Sequence, residues 1–101
     1  MASISSIASS GLQAAQLRLD ASANNVANMN TSGYRRETVA QQADADGAGV
    51  NATLQREQDA KGVALEQEAV EQISATYAFK ANLQTLKTQD AMVGSLLDVK
   101  A

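Results

Sequence analysis

The chain carries few side chains equipped for chemistry. Its 101 residues include no histidine and no cysteine, which removes the commonest general base, the commonest transition-metal ligand and any thiolate nucleophile. Carboxylates remain, and a pair of them can hydrolyse a glycosidic bond without histidine. The eleven acidic residues are spread through the chain, however, and nothing in their spacing builds a preorganised acidic pocket. Asp44-Ala45-Asp46-Gly47 opens in the manner of a calcium loop. Its glycine comes too early and its twelfth position is Gln55 in place of the bidentate glutamate, so it reads as a solvated turn. Arg35-Arg36 is too small a group to form a patch and reads as a solvated turn as well. No catalytic residue, cofactor or metal is expected.

Composition narrows the classes further. Eight basic and eleven acidic residues give a formal charge of −3, and with no basic stripe to neutralise phosphates, nucleic-acid binding is not expected. No run approaches the roughly 20 apolar residues of a membrane span. The N-terminus lacks the basic and continuous apolar regions of a cleaved signal, so neither insertion nor export by that route is expected. Hydrophobic residues make up 45% of the chain, but 20 of them are alanine and only three are aromatic. A core built from these is thin, and alanine lets helix axes approach closely. Such a chain gains by packing on further chains.

The elements follow from periodicity. Residues 3–28 predict a first helix, with Leu12, Ala15, Leu19, Ser22, Val26 and Met29 at alternating three- and four-residue steps, the spacing of a coiled-coil seam. Ile4, Ile7, Gly11 and Ala14 form an adjacent stripe, and only Arg18 and Asp20 are charged. A helix so poor in charge is expected to be covered on more than one side. Residues 29–34 predict a turn, and residues 35–62 a loop or short β-hairpin, with weak strand character before the Ala43–Gly49 run and alternation from Val50 to Leu54. Residues 63–99 predict a long second helix, with Val63, Val70, Ile73, Tyr77, Phe79, Leu83, Leu86, Val93 and Leu97 as its apolar positions. The absence of proline leaves both helices unbroken.

Four asparagines, Asn24, Asn25, Asn28 and Asn30, fall within seven positions and are followed by Thr31, Gly33 and Tyr34. An ordinary helix end needs one Asn and one Gly, so this cluster exceeds the requirement. Together with Ser10-Gly11-Leu12 and Leu19, the run NNVANMNTSGYRR from Asn24 to Arg36 resembles the N-terminal signature of flagellar rod, hook and hook-associated proteins. The segment from Val63 to Ala101, with Glu68, Ile73, Ala81-Asn82, Thr88, Asp90, Met92 and Leu96-Leu97, is similar to the C-terminal helix of the same family. Ser32 stands where that family often has proline, and Tyr77-Ala78-Phe79 where it usually has Arg-Ala-Tyr.

The resemblance implies a mainly α fold: two long terminal helices pairing as an antiparallel, coiled-coil-like hairpin, in a single domain spanning residues 1–101. It implies a non-enzymatic subunit of the bacterial basal-body rod that leaves the cell by flagellar type III export, lies in the periplasmic portion, and has copies of itself or other rod proteins as partners. Fewer than thirty residues separate Tyr34 from Val63, so a small proximal rod protein, or a shortened paralogue, fits better than a hook protein. Leu12, Ala15, Leu19, Val26, Val70, Ile73, Tyr77, Phe79, Leu83, Leu86, Val93 and Leu97 are the expected pairing and assembly residues. The alternative is a free-standing helical adaptor or regulator that closes into a fixed oligomer.

Overall fold

The computed structural model describes residues 3–45 and 47–100, with side chains described as far as Asp98. Two helices flank a hairpin: α1 (Ile4–Ala27), β1 (Glu37–Ala43), β2 (Val50–Arg56) and α2 (Leu65–Lys100). The fold is mainly α, as the sequence predicts. Ser3 caps α1, its hydroxyl accepting from the Ser6 backbone N–H at 3.1 Å, which satisfies one of the free amides of the first turn. At the other end the Asn24 carbonyl accepts twice from Asn28, from its backbone N–H at 3.1 Å and from Nδ2 at 2.9 Å. Gly33 then takes the left-handed backbone (φ 73°), and no other residue type does so among those described. Asn24, Asn25 and Asn28 therefore serve the turn through their amides and not through left-handed angles.

The two helices run antiparallel, with Asn25 beside Glu68 at one end and Gly11 beside Asn82 further along. α1 is the central element, packing on α2 along one side and on both strands along another. Its buried residues are Ala8, Ala14, Ala15, Ala21, Ser22 and Asn25. Ala8, Gly11, Ala15, Arg18, Ser22 and Asn25 form a strict alternation of three- and four-residue steps facing α2, while Ala14 and Ala21 lie on the flank. The close approach rests on small side chains: a Cβ added at Gly11 would meet the Asn82 side chain at 2.5 Å.

The hairpin is antiparallel, pairing Glu37 with Arg56 at its base and Ala43 with Val50 at its tip. Two strands alone are marginal, and these lie on α1. The tip is pinned there by Ser10, whose Oγ accepts from the Val50 N–H at 3.0 Å and donates to the Ile7 carbonyl at 2.7 Å. Gly49, at φ 113°, passes so close to Ser10 that a Cβ would collide with it. Of the acidic run at the tip, Asp44 is exposed, and Asp46 lies outside the described residues.

Candidate assembly site

At the turn end of the molecule a polar junction ties all four elements together. Asn25 is buried at its centre. Its Nδ2 donates to the Glu37 carbonyl at 2.8 Å and to Glu68 Oε1 at 3.0 Å. Its Oδ1 accepts from the Glu37 backbone N–H at 2.7 Å and from the Tyr34 hydroxyl at 3.1 Å. One amide thus satisfies the first residue of β1 on both sides, in the manner of another strand, and reaches α2 with its remaining proton.

Glu68 is fully buried in the first turn of α2. Its carboxylate is met by Arg36 Nε at 3.2 Å as well as by Asn25. Arg36 also reaches Glu57 at 3.5 Å. Burial works against the Arg36 charge, but the hydrogen bond and charge of Glu68, joined by those of Glu57, outweigh it and hold the guanidinium above its ordinary value. Across the hairpin base, Arg56 pairs with the Glu37 carboxylate at 2.6 Å, donates to the Arg35 carbonyl at 3.1 Å, and lies 5.5 Å from the centre of the Tyr34 ring, within cation–π range. The Ser22 hydroxyl donates to the Glu68 carbonyl at 3.2 Å and accepts from Gln72 Nε2 at 3.2 Å. Arg18 extends the helix seam by bonding Glu71 at 2.6 Å and Ser74 at 2.9 Å.

With every one of these carboxylates engaged by a cation or an amide, the junction holds no free acid or base poised on a reacting group. Its chemistry is that of a directional clamp. Arg36 corrects the expectation of a solvated turn: Arg35 is exposed, but the neighbouring side chain is largely covered. Arg36 continues the hairpin ladder, its carbonyl accepting from the Glu57 N–H at 2.9 Å, and along such extended backbone successive side chains point to opposite sides.

The predicted apolar residues distribute differently from the sequence pattern. The α1 seam is displaced by one step: Ala15 is buried as part of it, while Leu12, Leu19 and Val26 sit half-buried beside it. On α2, Phe79 and Leu86 are half-buried on the face carrying Glu68, Gln72, Ala75 and Asn82. Val70, Ile73 and Tyr77 are on the opposite face, 67%, 58% and 70% exposed. Leu83, Val93 and Leu97 are exposed as well, Leu83 the least of the three. The reason is steric: alanine, glycine and serine let the axes come close, and the bulky residues are displaced to the flanks and the outer face. In the turn, Asn24 donates to Glu37 Oε2 at 3.5 Å and Thr31 donates to Asn28 Oδ1 at 3.2 Å, while Asn30 is exposed.

Sequence reasoning did not find Glu37, Arg56, Glu57 or Glu71 as partners. One signal was present: Arg18 is a rare charge in an otherwise uncharged helix, and such a residue needs a partner.

At the far end α2 continues past the last residues opposed by α1. A helix of 36 residues rises about 54 Å and one of 24 about 36 Å, and since the pair is aligned at the turn, the excess lies wholly at this end. Met92, Leu96 and Leu97 of that overhang are 63–69% exposed, and Met92 and Leu96 lie next to the exposed Ile4. Among the described residues no helix is long and apolar enough to cross a membrane.

No curated protein matches the chain. Residues 6–35, which take in most of α1, the asparagine cluster and the turn, fit the family model described as flagella basal body rod protein.

Proposed function

We propose that the chain is a non-enzymatic structural subunit of the flagellar rod, built into the axial structure through its two helices. The observation that carries this reading is the division of labour in the molecule. The helix pair is closed mainly by small and polar residues, with Phe79 and Leu86 half-buried among them, and the large apolar side chains Ile4, Met92, Leu96 and Leu97 are left outside it. A chain that spends its bulky residues on its surface gains stability when neighbours cover them. An axial structure needs heterologous contacts that repeat without closing, and the overhang at one end of the pair suits such a contact. The family match adds a structural rod role. Placement in the periplasmic portion, arrival by type III export, and partnership with other rod proteins or further copies belong to the same proposal.

Basal bodies purified from the source cells test it, with the chain quantified by mass spectrometry. The wild type is expected in the basal-body fraction. A variant carrying Leu96→Ser and Leu97→Ser is expected to be lost from that fraction while keeping its helicity. Recovery of the wild type in the soluble fraction alone would instead favour the free-standing adaptor.

A further inference from the structure

α2 has a second seam. Glu66, Val70, Ile73, Tyr77 and Lys80 follow one another at steps of four, three, four and three residues, all exposed and all on the side turned away from α1. This is the spacing of a coiled-coil stripe, distinct from the Glu68, Gln72, Ala75 and Phe79 line that faces α1. Isolated apolar residues on a surface call for no explanation. Three large ones in consecutive seam positions, bounded by a glutamate on one side and a lysine on the other, specify a partner. Beside them is a shallow cleft lined by Ala69, Thr76, Ile73 and Tyr77, whose small members leave room for a knob from a facing helix.

We infer that this stripe binds a second copy of the chain, α2 against α2 in antiparallel orientation, with the two-fold axis passing through Ile73. The charges identify the occupant. Reversing the stripe about Ile73 brings Glu66 of one copy opposite Lys80 of the other, on both sides of the axis, and Val70 opposite Tyr77. The stripe is its own complement. Glu66 and Lys80 make no ion pair among the described residues, so both are available. Parallel pairing would set Glu66 against Glu66 and Lys80 against Lys80, which is repulsive twice over. The inner pair already shows that α2 accepts an antiparallel helix with such layers, Asn25 on Glu68 and Ser22 on Gln72. This contact is isologous and closes at two copies, so it belongs to the free chain and gives way where heterologous contacts, those of Leu96 and Leu97 among them, build the axial structure.

Sedimentation and oxidative cross-linking test the inference on the full chain. The wild type is expected to pass from monomer to dimer, and no further through this face, over a concentration series reaching about 1 mM, where weak pairs populate. Glu66→Lys and Lys80→Glu are each expected to weaken the dimer about tenfold, with unchanged helicity, and the double variant Glu66→Lys/Lys80→Glu is expected to restore it. Because the chain has no cysteine, Ile73→Cys should link to itself across the axis. Val70→Cys should link poorly alone and well when mixed with Tyr77→Cys. A chain that stays monomeric throughout, a dimer indifferent to all three charge variants, or self-linking by Val70→Cys as efficient as by Ile73→Cys would overturn it. Binding of a different rod protein to this face by a chain that does not pair with itself would overturn it too.

Discussion

The two ends of the helix pair are built on opposite principles. At the turn end, Asn25, Arg36, Glu37 and Glu68 are covered and mutually bonded, and each contact demands a particular distance and direction. Toward the far end the seam loses that character. Gln89 Oε1 is buried there without a hydrogen-bond partner among the described residues, and Met92, Leu96 and Leu97 face outward. Polar contacts are costly to misplace, because a displaced partner leaves a buried group unsatisfied. Apolar contacts tolerate a change of partner. The difference suggests that the turn end sets the register of α1, the hairpin and α2, leaving the other end adaptable to a neighbour.

Three substitutions probe that contrast. The largest effect is expected from Glu68→Ala, which leaves the Arg36 guanidinium with Glu57 alone and strands one Asn25 proton in a covered site. Removing one partner of a buried pair costs about 3–5 kcal/mol, read as a lowered urea midpoint at unchanged slope. A loss below about 1 kcal/mol would show that the clamp does not fix the fold. Gly11→Leu tests the middle of the seam, where even a Cβ would press on Asn82. Overpacking there should cost about 1–3 kcal/mol and push the helices apart, visible as reduced near-ultraviolet signal or a larger hydrodynamic radius. The smallest effect is expected from Leu97→Ser at the far end. That side chain is 65% exposed, so the stability of the isolated chain should stay within about 0.5 kcal/mol while association through that end declines. A large loss of stability from this change would mean that the overhang is part of the core.

The helices were legible because their signals are local. An unbroken three-and-four spacing, the absence of proline and an asparagine-rich stop before Gly33 need no knowledge of the rest of the molecule. Which face each helix buries was not legible in the same way. Leu12, Leu19 and Val26 look like the natural seam by hydrophobicity, yet Ala8 and Ala15 lie deeper, because closeness of approach outweighs side-chain size when the opposing helix brings Asn82 and Ala75. On α2 the apolar residues lie on two opposite faces. Periodicity alone could not say that Phe79 and Leu86 would turn inward and Val70, Ile73 and Tyr77 outward.

From residues alone came the architecture of two helices about a short hairpin, the lack of side chains for the common catalytic and metal chemistries, and the cluster around Asn25 that carries the family resemblance. Each depends on residue type and neighbours along the chain. Tertiary structure decided that Arg36 and Glu68, separated by more than thirty positions, form one buried pair, and that Asn25 substitutes for a strand partner of Glu37. It also decided which apolar stripe stays outside. Those outcomes depend on how closely two helices can approach and on which polar groups lose water together, quantities that exist only once the chain has folded back on itself.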